Sequence, residues 1–205
     1  MALTLVPGAN TALATGTFEV ALTWRGREDA DADLSALVCS GRRVRSDADF
    51  VFFNQRVHGS GAVRHEGKSA ASGTVTDVLR VDLAGVEPDV DLLVVVASLD
   101  AGPGAGFGLL AAAGLRLTVR DGPGGDVAVV DLSGLERQTA VVAAEFYRRD
   151  GGWKLRAVGQ GWDDGLAGLA RDFGVDVEAP DEGPPAPPVP SFDWRDPPVP
   201  AGYGR

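Results

Sequence analysis

The segment Thr17-Phe-Glu-Val-Ala-Leu-Thr-Trp24 decides the fold, because its large apolar side chains recur at every second position. These side chains share one face of an extended chain, and they are Phe18, Val20, Leu22 and Trp24. Thr17, Glu19 and Thr23 take the opposite face. A period of two is that of a strand with one face in the core and one in solvent, so the segment predicts a half-buried β-strand.

Similar patterns lie further along the chain. The same alternation recurs at Leu79–Leu83, Leu115–Arg120 and Trp153–Ala157. The run Leu92–Leu99 is apolar on both faces and rich in valine, which suits a central strand. Further strands are predicted over Leu34–Cys39, Val44–Phe53, Val127–Leu132 and Thr139–Tyr147. About nine or ten strands with glycine-rich turns predict an all-β fold, a β-sandwich of two mostly antiparallel sheets.

One short amphipathic helix is predicted near the C-terminus. Its apolar residues follow the spacing i, i+3, i+4 and i+7, and they are Leu166, Leu169, Ala170 and Phe173. Gly174 stands where a C-terminal cap is expected. We expect this helix to lay its apolar face across one end of the sandwich.

Composition restricts the classes of partner and the cellular compartment. The 205 residues carry a formal net charge of −10, which disfavours binding to nucleic acid and favours cations or basic protein surfaces. Cys39 is the single cysteine, and its apolar setting predicts a buried side chain rather than a reactive thiol. We find no secretory signal, and the longest apolar run is too short to span a bilayer, so we expect a cytoplasmic protein.

The chain divides into a folded domain, residues 1–178, and a proline-rich tail, residues 179–205. Nine of the 13 prolines lie between Pro180 and Pro200, where neither a regular helix nor a central strand can form. The tail is therefore expected to be disordered or polyproline II. Phe192 and Trp194 leave two interpretations open, a solvated tail or a short motif that docks to a partner.

A cluster of carboxylates lies around two of the predicted strands. Asp29, Asp31 and Asp33 are spaced two apart, and Asp47 and Asp49 open the next strand. A tight turn at Ser40-Gly41 would set Asp33 across from Asp49 and Asp31 near Asp47. Opposed carboxylates destabilise paired strands, and a hard cation such as calcium would relieve them. Ser35 and Asn54 could add neutral oxygens. The alternative is a solvated acidic edge that discourages aggregation.

Motifs for catalysis and for nucleotide binding are absent from the sequence. Gly102–Gly108 lacks the spacing of a dinucleotide-binding loop, and the following Leu109–Leu117 is expected to enter a strand. Ser60 lacks the pattern of a nucleophile elbow, and the loop position of His58 and His65 suggests surface histidines. The sequence therefore predicts a non-enzymatic protein, with a metal-dependent phosphatase as the one enzymatic form worth testing.

Long segments of the chain resemble the TerD (tellurium-resistance) family of bacterial stress proteins. They are Asp31-Ala-Asp-Leu-Ser-Ala36, Val44-Arg-Ser-Asp-Ala-Asp-Phe-Val-Phe-Phe-Asn54, Glu145–Gly161 and Gly165–Val175, in the order that the family has them. The resemblance spans roughly Leu3 to Val177 and implies a β-sandwich, calcium binding, and resistance to tellurite and chemical stress. It also implies work alongside related stress-response proteins, in the cytoplasm or at the inner face of the membrane.

The metal ligands implied by this resemblance, together with the acidic cluster, are Asp31, Asp33, Asp47, Asp49, Asn54 and Asp77. The chain departs from the family in the loop His65–Asp77, where the family carries several aspartates. Glu66 and Asp77 are the only carboxylates in this loop here, and Lys68 adds a positive charge. We therefore expect weak calcium binding or the loss of one site. Two functions follow, a calcium-binding scaffold and a metal-free interaction module with a degenerate site.

Overall fold

The computed structural model describes residues 2–101, 104–122 and 125–175, and most of these residues lie in β-strands. The strands are β1 (Leu3–Leu5), β2 (Asn10–Leu13), β3 (Thr17–Arg25), β4 (Ala30–Ser40), β5 (Arg43–Val44), β6 (Phe50–Val51), β7 (Val63–Ala71), β8 (Thr74–Asp82), β9 (Leu92–Ala101), β10 (Arg116–Asp121), β11 (Asp126–Val130), β12 (Ala140–Arg149) and β13 (Gly152–Trp162). The helices are α1 (Gly108–Ala112), α2 (Gly165–Asp172) and a 3₁₀ turn at Asp47–Asp49.

The strands form two sheets. The first sheet has the order β1-β11-β10-β3-β8-β7, in which β1 and β11 are parallel and the other neighbours antiparallel. The second sheet has the order β2-β13-β12-β9-β4-β5, with β6 also paired to β4, and all its neighbours are antiparallel. The predicted sandwich of two mostly antiparallel sheets is therefore confirmed.

The main core lies between the sheets. Its residues include the alternating side chains of β3 from which the fold was predicted, Phe18, Val20, Leu22 and Trp24, all of which are buried. Leu93 and Val95 of the central strand β9 pack in the same core. The even positions of β3 thus face the opposite sheet, as a period of two requires.

A second apolar layer covers the outer face of the second sheet. Val94, Val96 and Val142 of this sheet pack with Leu169 and Phe173, which belong to α2 and to the residue that ends it. The predicted helix is confirmed, but its contacts are with the broad face of β9, β12 and β13 rather than with one end of the sandwich. Cys39 lies in this layer, and burial raises the pKa of its thiol to about 12.

Two predicted strand segments are wrong in part. Val44–Phe53 is interrupted at Ser46–Asp49, because the Asp49 carboxylate accepts hydrogen bonds from the backbone N–H groups of Arg45 and Ser46 and closes a 3₁₀ turn. The Leu109–Leu117 stretch begins with α1, and the strand starts only at Arg116.

The remaining expectations concern the tail and the membrane. The tail, residues 179–205, lies outside the described residues, so its disorder and its docking role stay predictions. Across the described ranges, neither α1 nor α2 reaches the length and hydropathy that a membrane crossing requires.

Candidate functional site

The candidate site lies where the first half of β4 meets the other sheet. Residues Ala30–Leu34 of β4 pair with β9 on one side, and on the other side the pairing with β6 begins only at Ala36. The edge strand β7 of the first sheet and its neighbour β8 contact β4. Polar side chains of β7 and β8 can therefore reach a stretch of β4 backbone that is paired with β9 but not with β6.

Asp77 fills this gap from β8. Its Oδ2 accepts a hydrogen bond of 2.8 Å from the backbone N–H of Leu34, which belongs to the opposite sheet. Its Oδ1 accepts from the Val78 N–H at 3.0 Å and lies 2.9 Å from Nε2 of His65, although the angle to the imidazole is not that of a hydrogen bond. Asp77 has no exposed surface. Its carboxylate therefore joins the two sheets instead of facing an ion in solvent.

Lys68 makes a second connection between the sheets. It lies opposite Asp77 in the register of β7 and β8. Its Nζ is 2.6 Å from Oδ2 of Asp31 and 2.9 Å from Oδ1 of Asp33, both on β4. The ammonium also lies 5.6 Å from the centroid of the Trp24 ring, within the range of a cation–π contact.

The Lys68 side chain is partly buried, with 27% of its surface exposed. Burial by itself would lower the pKa of Lys68, but the hydrogen bonds to Asp31 and Asp33 outweigh this effect and raise the pKa. Lys68 is therefore charged at neutral pH. Because Asp31 and Asp33 are 50% and 33% exposed, each pair contributes about 1 kcal/mol or less to stability.

Asp49 belongs to a separate network. Its carboxylate accepts hydrogen bonds from Arg45, from both the guanidinium and the backbone N–H, and lies 2.9 Å from Nε2 of His58. Burial would raise the pKa of Asp49, but the hydrogen bonds from Arg45 and His58 outweigh it and hold the pKa well below its usual range. Arg45 also contacts Glu87 and Asp89. The charge of Asp49 is thus compensated within the protein.

His58 continues this network to Ser60, whose Oγ lies 2.7 Å from His58 Nδ1. A carboxylate, an imidazole and a hydroxyl in this order also occur in nucleophilic triads. Here Ser60 stands two residues from His58, and its Oγ accepts the N–H of Ala62, while the Ser60 N–H points at the same Nδ1. These contacts close a local turn, so we interpret the three residues as a network that fixes the loop.

The predicted pairing of Asp33 with Asp49 is wrong. The hairpin turns at Gly41-Arg42, with Ser40 opposite Arg43 and Cys39 opposite Val44. Leu37 then faces Phe50, because Ser46–Asp49 is looped out into the 3₁₀ turn. In the register with β9, Asp33 faces Ser98 and Asp31 faces Asp100.

Six residues were predicted as metal ligands, and the structure brings together two of them, Asp31 and Asp33, around Lys68. Asp77 is buried between the sheets, and Asp49 is bound to Arg45. Asp47 and Asn54 are exposed, the first in the 3₁₀ turn and the second at the tip of the hairpin closed by Phe52 and Gln55. Within residues 2–101, 104–122 and 125–175, no three acidic, histidine or cysteine side chains converge as a metal would require.

Calcium does not fit this arrangement. The ion takes about six to eight oxygen ligands and needs carboxylates whose charge is not already compensated. Asp31 and Asp33 contact an ammonium, and Asp49 contacts a guanidinium. The oxygens of Asp77 already accept backbone hydrogen bonds. A divalent ion at Asp31 and Asp33 would therefore have to displace Lys68.

The histidines and Lys68 are the residues whose positions the sequence did not reveal. His58 and His65 were expected at the surface, but they are 4% and 5% exposed. The expectation is wrong because the loop that carries His58 folds onto β7, where the backbones of His58 and Val63 and of His65 and Arg56 are hydrogen-bonded. Lys68 was recognised as a positive charge, but its contact with Asp31 depends on a β7–β4 approach that sequence spacing does not encode.

An aromatic surface lies on β6 and the hairpin that follows it, at the edge of the second sheet. Phe50 and Phe52 stack with ring centroids 4.7 Å apart, and Phe53 meets Phe52 edge-on at 5.5 Å. Phe53 is 55% exposed and Val57 is 47% exposed. Large apolar side chains grouped in this way are typical of protein-interaction surfaces. We refer to Phe50, Phe52 and Phe53 as the aromatic patch.

Comparison with known proteins agrees with this fold. The family model described as TerD domain matches residues 1–173. The tellurium resistance protein TerD of Serratia marcescens is 32% identical over 192 residues, which cover 86% of this chain and 100% of that protein. General stress protein 16U of Bacillus subtilis is 33% identical over 159 residues, covering 74% of this chain and 81% of the relative.

A solved structure has the same architecture. The crystal structure of a TerD homologue from Streptomyces coelicolor A3(2) superposes with a TM-score of 0.63 at 19% identity. The superposition covers 77% of this chain and 96% of the homologue.

Proposed function

The chain belongs to the TerD family of tellurium-resistance and stress proteins, and we propose that it acts there as a non-enzymatic binding component that needs no calcium. The aromatic patch carries the proposal. Phe53 is exposed at a hairpin tip and packs on the half-buried Phe52, so the patch offers the apolar contact area on which protein interfaces depend. The calcium-dependent scaffold that the resemblance implies is not favoured, because Lys68 already lies between Asp31 and Asp33.

We propose a second TerD-domain protein as the partner. The patch begins in the two-residue strand β6 and continues into the hairpin after it, so a related sandwich that presents the same apolar edge would bind in a symmetric manner. Aromatic rings are self-complementary in such a contact, because they stack on one another. This surface would let the protein work alongside related stress proteins in the cytoplasm, in solution or in a complex at the inner face of the membrane.

Substitution in the patch tests this function. Tagged full-length chain would be recovered from its native cells, with copurified proteins identified by mass spectrometry. We expect Phe53→Ser to reduce recovery of TerD-domain proteins at least about fivefold, since the loss of an interface anchor costs about 1 kcal/mol or more. Growth on tellurite would be followed in the same strains, with lower tolerance expected for Phe53→Ser.

Leu3→Ser is the matched control. Leu3 is 51% exposed, close to the value for Phe53, but it lies on β1 of the first sheet. This variant should keep the partners of the wild type. Equal recovery of TerD-domain proteins with Phe53→Ser and with the wild type would contradict the proposal.

A further inference from the structure

The contact of Lys68 with Asp31 and Asp33 has the features of a cation site rather than of an ordinary surface salt bridge. One ammonium lies within 3 Å of two carboxylates at once, at 2.6 and 2.9 Å. Asp31 and Asp33 belong to the same strand, and Lys68 reaches them from the opposite sheet. Both negative charges therefore share a single positive charge that the chain itself supplies.

The surroundings hold the ammonium in this position. Lys68 Nζ lies 5.6 Å from the ring of Trp24, a side chain that is 1% exposed and therefore fixed by the core. A β-bulge between His65 and Gly67 shifts the register of β7 just before Lys68, so that Lys68 faces the buried Asp77. Bulges redirect side chains in this way. Gly67 has φ of +111°, a backbone conformation that favours glycine.

The electrostatic balance depends on Lys68. Asp31 also faces Asp100 across β4 and β9, so a third carboxylate lies on the neighbouring strand. Like charges opposed on paired strands are destabilising. Without the ammonium, Asp31 and Asp33 would lose the one cationic group that contacts them in the described part of the chain.

We propose that Lys68 is a tethered cation, which holds the position between Asp31 and Asp33 where a divalent ion would otherwise bind. The contact between the two sheets is then stabilised without metal, and the stability of the protein does not depend on the calcium concentration. Removal of the ammonium exposes a site for hard divalent cations, whose strength depends on the number of carboxylates that remain. The inference rests on this geometry and is independent of which partner the aromatic patch binds.

A graded set of variants of the full chain tests the proposal. Melting temperatures would be measured without metal and with about 5 mM calcium chloride, a concentration that suits weak sites. The wild type and Lys68→Arg keep a positive charge and should shift by less than about 1 °C. Lys68→Met should gain a small calcium-dependent shift. Lys68→Asp adds a third carboxylate and should gain the largest shift, about 4 °C or more.

Lys154→Met is the matched control, because Lys154 forms an exposed pair with Asp150 at 3.5 Å and does not contact the site. It should respond to calcium as the wild type does. A Lys68→Asp chain that folds only when calcium is added supports the proposal as well. The proposal is overturned if calcium stabilises the wild type as much as Lys68→Asp, or if neither Lys68→Met nor Lys68→Asp responds to calcium.

Discussion

Asp77 illustrates how one side chain can serve the fold where a metal ligand was expected. Its carboxylate is buried and accepts the Leu34 N–H across the sheet interface. The alternation of Leu79 and Val81, which face the core, places Asp77 on the same inward face. The period of β8 thus contained the signal for a buried aspartate, although it did not reveal the backbone group that the carboxylate would meet.

We predict that Asp77→Ala lowers the free energy of unfolding by about 3 kcal/mol, because it leaves the Leu34 N–H buried without an acceptor. Urea denaturation at neutral pH would measure this change. Asp29→Ala is the control, since Asp29 is exposed and forms a surface salt bridge with Arg27, and its effect should be within about 0.5 kcal/mol. A loss below about 1 kcal/mol for Asp77→Ala would show that Asp77 does not hold the sheets together.

The lowered pKa of Asp49 predicts how the free energy of unfolding falls at acid pH, which we call the acid limb of stability. Its pKa is held below the usual range in the folded protein, so the unfolded chain binds this proton more readily than the folded one. The stabilisation from Asp49 is therefore complete above pH of about 4 and is lost as the pH falls further, toward the folded pKa. We expect Asp49→Asn to be less stable at neutral pH and to lose less stability between pH of about 5 and 2.

Unfolding of both proteins across this pH range would test the prediction. The Asp131→Asn variant is a useful comparison, because Asp131 also has a lowered pKa, from hydrogen bonds with Ser133, but it lies at the surface and should change the acid limb little. Parallel acid limbs for the wild type and Asp49→Asn would contradict the role given to Asp49.

Among the elements, three hairpins in the described part of the chain turn through two residues that both have positive φ. They are Gly41-Arg42, Ser72-Gly73 and Asp150-Gly151, with φ from 51° to 77°. Two positive φ values in a two-residue loop define a type I′ turn, which prefers Asn-Gly or Asp-Gly. Asp150-Gly151 has this preferred pair, whereas Ser72-Gly73 has serine at a position that favours asparagine.

Ser72→Asn should therefore stabilise the domain by about 0.5 kcal/mol, since asparagine adopts positive φ more readily than serine does. Ser72→Val should destabilise it, because a β-branched side chain is strained in this conformation. Thermal unfolding of the three proteins gives the order directly. A melting temperature of Ser72→Asn below that of the wild type would contradict the turn assignment.

The hairpin of β4 and β5 shows why register was harder to predict than the presence of strands. Strands were predicted over both chain segments, and the turn was expected within one residue of where it lies. The four residues Ser46–Asp49 nevertheless leave the strand, because Asp49 bonds to the backbone of Arg45 and Ser46. Such hydrogen bonds from a side chain to the backbone compete locally with strand pairing. The spacing of apolar residues does not reveal them.

For the whole molecule, the sequence predicted the two-sheet architecture and the C-terminal helix, because both depend on periodic apolar residues that must be buried. It did not predict which carboxylates would meet. Asp31 and Asp33 face Lys68 only after the edge of one sheet folds against the other, and this approach depends on the whole sandwich. The aspartates lie close together in the sequence, but in three dimensions they pair with separate cations. Asp31 and Asp33 contact Lys68, and Asp49 contacts Arg45.

Compensation of carboxylates by neighbouring basic side chains extends beyond the candidate site. The chain carries 29 acidic and 19 basic residues, yet its buried carboxylates do not lie alone. Asp49 meets Arg45, and Glu145 meets Arg156 with an Nε–Oε2 distance of 3.0 Å. Cationic side chains of the chain therefore compensate these carboxylates as a bound metal would, and at the partly exposed Asp31 and Asp33 the cation is Lys68.

A crystal structure of the wild-type chain grown with about 10 mM calcium, a concentration that fills weak calcium sites, tests this central claim most directly. We predict that Lys68 Nζ will lie within hydrogen-bond distance of both Asp31 and Asp33, with no ion between them. Electron density for a calcium ion ligated by Asp31 and Asp33, with Lys68 turned away, would contradict the account.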